Sequence, residues 1–137
     1  MSYKYLDAST FRGETIKSIK HINTSQDDEI HFELENGKKY RIFHNPDCCE
    51  SVVIHDIKEE LQSLIGSTIT NATEKSCNGD DRDFSDWPND VEKGKYSPES
   101  WTWTTYLFET GNTKVQIRWI GTSNGYYSED VQIEEVE

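Results

Sequence analysis

The chain has 137 residues and a formal net charge of −12, from 26 acidic against 14 basic side chains. That length suits one domain, 1–137, able to bury roughly two-thirds of the surface its unfolded chain exposes. The charge repels the phosphate backbone that nucleic-acid binders neutralise with Lys and Arg, so direct DNA or RNA binding is not expected.

Only 33% of the residues are hydrophobic, yet four Trp, seven Tyr and five Phe predict a core built from a few large rings. The opening "MSYKYLDAST" lacks the apolar stretch of a secretory signal, and no apolar run reaches the roughly eighteen residues of a membrane span. A cytoplasmic protein is therefore expected. Three cysteines, two of them adjacent, do not make a disulfide framework, and a reducing compartment would keep them as thiols.

Ile16, Ile19 and Ile22 fit a helix face or a strand interrupted by a bulge, and the strand is preferred. The segment "DDEIHFELENGKKYRIF" alternates, with Ile30, Phe32 and Leu34 on one face, and Asn36-Gly37 predicts a type I′ hairpin turn before Tyr40 and Ile42. Val52 and Ile54 begin a short β-prone run. Asp56 then reads as the cap of a short helix, with Glu59 completing a capping box and Ile57, Leu61, Leu64 and Ile65 on one face up to Gly66. "STITNATEK" returns to β-like chemistry.

Residues 76–100 lose all periodicity and read as a long acidic aromatic loop or insertion, with Phe84, Trp87 and Tyr96 placed to pin it to the body or to meet a partner. Two strands joined at 110–112 follow, one with Trp101, Trp103, Thr105 and Leu107 on a shared face and one with Val115, Ile117 and Trp119. A last strand turns Val131 and Ile133 inward. The expected class is α+β: mainly antiparallel β-sheet built of hairpins, six or seven strands, with one short helix.

The segment "HNPDCCESVVIHDI" has the composition of a metal or redox site. A metal site on His44, Cys48, Cys49 and His55 lacks the paired ligand spacing of structural zinc centres, and adjacent cysteines in extended chain point to opposite faces. A Cys-His nucleophile needs a third orienting group that nothing here designates. The favoured reading is a turn at 45–47, one thiol buried as a small hydrophobe, and Asp47 or Glu50 bonding backbone amides. No phosphate loop, dinucleotide fingerprint, zinc-protease or serine-hydrolase motif occurs, so neither a catalytic residue nor a cofactor is designated.

His44, Asp47, Cys48, Cys49 and Glu50 form an H-x-x-D-C-C-E segment, and Gly121, Ser123, Asn124, Gly125, Tyr126, Tyr127, Ser128 and Glu129 form a G-x-S-N-G-Y-Y-S-E segment. In that order they resemble a family of small domains of unknown function found in phages and prophages, over residues 13–133. The resemblance implies a phage-associated origin, placing the protein in the host-cell cytoplasm, and it implies no activity. Residues 80–90 lie between the shared segments and read as a member-specific insertion.

Two functions follow as expectations. The first is a non-enzymatic acidic protein that binds and inhibits a host protein, a defence nuclease by nucleic-acid mimicry, through Asp80, Asp81, Asp83, Asp86, Trp87 and Asp90, with the C-terminal acids as second choice. The second is a small-ligand domain that sequesters a nucleotide, using Tyr126, Tyr127, Asn124, Asp47 and Glu50 with Arg41 or Arg118 for a phosphate, or a metal-supported domain using residues 44–50. In the second reading the two shared segments meet at one end of the sheet.

Overall fold

The computed structural model describes residues 6–23, 27–96 and 98–136. Within them the chain forms β1 (Ile16–Asn23), β2 (Asp28–Leu34), β3 (Lys39–Phe43), β4 (Ser51–Lys58), β5 (Asn71–Asp80), β6 (Ser100–Glu109), β7 (Lys114–Ser123) and β8 (Gln132–Val136). These pair antiparallel into two four-stranded sheets, β1-β2-β3-β8 and β4-β7-β6-β5. Among the described residues there is no α-helix, only 3-10 turns at Ala8–Phe11, Leu61–Leu64 and Lys93–Lys95, and so no helix long and apolar enough to cross a membrane.

Alternation places β2 as expected, with Ile30, Phe32 and Leu34 buried. β1 carries the expected irregularity, a register shift between Ile16 and Ser18. The hairpin after β2 is not a type I′ turn, which needs two positive φ angles. Only Gly37 has one, at 89°, and Leu34 closes a three-residue loop by bonding Lys38 O at 2.9 Å.

The expected helix is the main correction. Residues 51–58 are a strand paired along β7, and a bulge between Ile54 and Asp56 re-aims the side chains there. Asp56 caps no helix because its carboxylate accepts two hydrogen bonds from Arg118 on β7, at 2.8 and 2.6 Å. Glu59, the supposed capping-box partner, sits at φ 67° and turns the chain. Leu61 and Leu64 reach the core from the 3-10 turn that follows, while Ile65 stays 42% exposed.

The sheets share a core in which Phe11, Phe32 and Phe108 meet with ring centroids 4.7 to 5.7 Å apart. The second sheet is buried on both faces. Tyr106, Phe108, Val115, Ile117 and Trp119 face the first sheet, whereas Trp101, Trp103 and Ile120 join a separate cluster with Trp87 and Val91 of the intervening loop. This loop spans 81–99, not 76–100, because β5 continues to Asp80.

Asp28 ties the sheets together at one edge. Its buried carboxylate accepts from His21 Nε2 at 2.8 Å, Asn23 Nδ2 at 2.6 Å and the Ile54 amide of β4 at 2.8 Å. Removing such an acceptor strands its buried donors. Asp28→Ala is expected to lower the free energy of unfolding by about 3 kcal/mol, measured by urea denaturation.

Candidate functional site

In an antiparallel sheet, alternate strands start and end at the same edge. Ser51 of β4 pairs with Thr122 of β7, Ser100 of β6 with Ser123, and Asp80 of β5 with Ser100. The starts of β4 and β6 and the ends of β5 and β7 therefore form one rim. The segment 44–50 leads into this rim, 121–129 leaves it, and the acidic loop departs from it at Asp80.

His44 reaches from the first segment to Asp130, the residue that follows the second. Its buried ring places Nδ1 2.6 Å from the Asp130 carbonyl and Nε2 3.0 Å from Glu50 Oε1. Both ring nitrogens thus lie against oxygen atoms. Glu50 Oε1 also accepts the Asp47 amide at 2.7 Å. That amide, followed by the His44 contact, holds the Glu50 carboxyl below the ordinary range against the opposing effect of burial.

The second segment closes on Glu129. Its buried carboxylate accepts from the Thr102 hydroxyl at 2.6 Å and the Ser123 hydroxyl at 2.5 Å. Gly121 makes this possible: a Cβ there would lie 2.8 Å from Glu129 Cβ and 2.9 Å from its carbonyl oxygen. Tyr126 stands 89% exposed at the tip of the segment, whereas Tyr127 is half-buried. Asn124 accepts the Tyr126 amide at 3.1 Å.

Cys48 and Cys49 are joined as a vicinal disulfide, and both are exposed. This corrects two expectations, that all three cysteines are thiols and that one of the adjacent pair is buried. Cys77 is the free one, half-buried, its pKa raised chiefly by burial. The candidate metal ligands do not converge: the nitrogens of His44 are engaged, Cys48 and Cys49 hold each other, and His55 packs edge-on against Trp103 at 5.2 Å. Among the described residues no three His, Cys, Asp or Glu side chains are grouped to hold a metal ion.

The acidic loop is fastened to the outer face of the second sheet. Trp87 is only 6% exposed; it packs against Trp101 and Trp103 at 5.2 and 5.4 Å and donates from Nε1 to Val91 O at 2.9 Å. Asp90 accepts twice from Arg118, at 2.9 and 2.8 Å, the guanidinium that also holds Asp56. Gly79 permits a close approach, since a Cβ there would lie 2.3 Å from Trp101 Cζ2. Trp87 and Asp90, expected as partner contacts, thus fasten the loop, while Asp81, Asp83 and Asp86 face solvent and Asp80 is half-exposed. Asp80 is ordered by the Arg82 amide and Asp83 by Ser85.

Two clefts open at the rim. One, of about 570 Å³, is bordered by Asp80, Asp81, Arg82, Glu99, Thr102 and Asn124. The other, of about 420 Å³, is bordered by Glu50, Ser51, Tyr96, Glu99, Thr122 and Ser123. Both are lined by carboxylates and hydroxyls, and Arg82 is the one base between them, placed 3.4 Å from Asp80. Arg118 is committed to two aspartates and Arg41 to Glu134 and Glu29 at 2.5 and 3.2 Å, so both arginines expected to meet a phosphate are paired with carboxylates. Ser51, Glu99, Thr102 and Thr122 of the rim were not singled out in sequence, because rim membership comes from strand register and leaves no local pattern.

The family described as Domain of unknown function (DUF7448) matches residues 10–133. The chain belongs to that family. No curated protein and no solved structure matches it. The match takes in both segments and the acidic loop between them.

Two outcomes follow. The hydrogen bonds from Arg118 hold Asp90 at about 2, below the ordinary 3.8, and a depressed native pKa adds stability that is full above the ordinary value and lost as pH falls through the native one. Wild type is therefore expected to melt above Asp90→Asn at neutral pH, with the gap closing as pH falls from 3.8 through about 2, as read by thermal denaturation. Under non-reducing conditions iodoacetamide is expected to label Cys77 alone, and after reduction Cys48 and Cys49 as well, as counted by peptide mass spectrometry.

Proposed function

We propose that this domain is a non-enzymatic interaction protein of phage type, which inhibits a host protein by occupying its cationic nucleic-acid site. A defence nuclease is the class of target that such acidity suits. The observation that carries the reading is the fastening of the acidic loop: carboxylates imitate a phosphate row only when their spacing is fixed. Asp80, Asp81, Asp83 and Asp86 project from a segment anchored by Trp87 on the tryptophan cluster and by Asp90 on Arg118. The net charge of −12 steers a basic partner towards this surface.

A nucleotide-sequestering domain has weaker support, since the rim clefts are lined by acids and both candidate phosphate-binding arginines are already paired. The test is affinity capture from bacterial lysate with wild type and with an Asp81→Lys, Asp83→Lys, Asp86→Lys variant whose fold is verified by circular dichroism. A nucleic-acid-binding protein captured by wild type, displaced by duplex DNA or raised salt and missed by the variant is the expected result. Capture that survives all three reversals overturns the reading.

A further inference from the structure

We infer that the rim cleft between Glu50, Tyr96 and Glu99 is a guanidinium site, made for an arginine side chain of a protein partner. The inference rests on the proposed binding of a basic partner and names the group that this cleft would hold.

The lining selects the charge. Two carboxylates, Glu50 and Glu99, border the 420 Å³ cleft and no Lys or Arg does, so an anion entering it meets repulsion and a cation does not. The Ser51 and Thr122 hydroxyls add oxygen acceptors beside them.

Glu50 supplies an unmet demand. Its side chain is only 2% exposed, and while Oε1 accepts from Asp47 and His44, Oε2 is buried without a hydrogen-bond donor among the described residues. A buried carboxylate oxygen without a donor is costly, and nearly all such atoms in folded proteins are partnered. The cleft wall is thus short of a donor at Glu50, the last residue of the first shared segment.

Shape separates a guanidinium from an ammonium. A guanidinium is planar, carries five N–H donors and no acceptor, spans carboxylates two bonds at a time and stacks on aromatic faces. Tyr96 supplies a ring at the wall, and Glu99 an exposed carboxylate. A lysine ammonium would meet the charge but has no plane to lay on the ring.

The test is an NMR titration of the isotope-labelled full chain with acetyl-arginine-amide, its citrulline analogue, which keeps the shape without the charge, and acetyl-lysine-amide. Saturable shifts with arginine at residues 50, 51, 96, 99, 122 and 123, none with citrulline, weaker shifts with lysine, and about tenfold weaker arginine binding in the surface variant Glu99→Gln are expected. No saturation, or equal binding of lysine, overturns the guanidinium assignment. If that happens while the triple loop reversal still abolishes partner capture, this inference falls and the acidic-interaction reading stands. If arginine saturates the cleft while capture survives the reversal, the loop loses its role and the guanidinium assignment stands.

Discussion

The placement of the acidic surface depends on one cation. Arg118 projects from the centre of the second sheet into the layer under the acidic loop, holding Asp56 of the neighbouring strand with one edge of its guanidinium and Asp90 of the loop with the other. A buried guanidinium without carboxylates would be strongly unfavourable, and two bidentate partners offset its desolvation. The same contacts fix two other things. Asp56 remains in a strand, and the loop is brought down over Trp101 and Trp103, which would otherwise face water.

The second sheet is for this reason a central layer, although the described residues form only two sheets. On one side it packs against the first sheet through Tyr106, Phe108 and Trp119; on the other it is roofed by Trp87, Phe84 and Val91 of the loop. The loop's acids can then crowd outward, because its aromatic residues carry the packing. A highly charged segment of about nineteen residues would ordinarily lack the apolar burial needed to order it. Trp87, at the middle of the segment, supplies much of that burial.

The two shared segments serve a common structural end at the rim. His44 reaches across to the Asp130 carbonyl, Glu50 gathers the turn that precedes it, and Glu129 is held by hydroxyls from β6 and β7 over a glycine that leaves it room. Within this polar frame His44 and Glu129 are each held on both sides, whereas one oxygen of Glu50 is buried without a donor. That combination of a rigid polar frame and one under-satisfied carboxylate makes this end of the sheet the place where a ligand has most to contribute.

Local pattern alone determined the strands whose burial is one-sided. The alternation in β2 encodes side-chain direction within a few residues, whereas the isoleucine spacing in β1 fitted a helix face as well as a bulged strand, and the Thr-Gly-Asn stretch marked only the connection before β7. The sequence also brought out the two segments that meet at the rim, and the ring-rich core. Tertiary structure decided what depends on partners far away in the chain. Asp56 and Glu59 have the spacing of a helix capping box, yet Asp56 is claimed by Arg118, 62 residues later, and the strand runs on to Lys58. Trp101 and Trp103 alternate as a core strand should, but only the descent of the loop settles which core they join. The pairing of Cys48 with Cys49, the convergence of His44 on Glu50 and Asp130, and the acidic clefts beside them arise from strand register and turn geometry, which bring together side chains that no local periodicity connects.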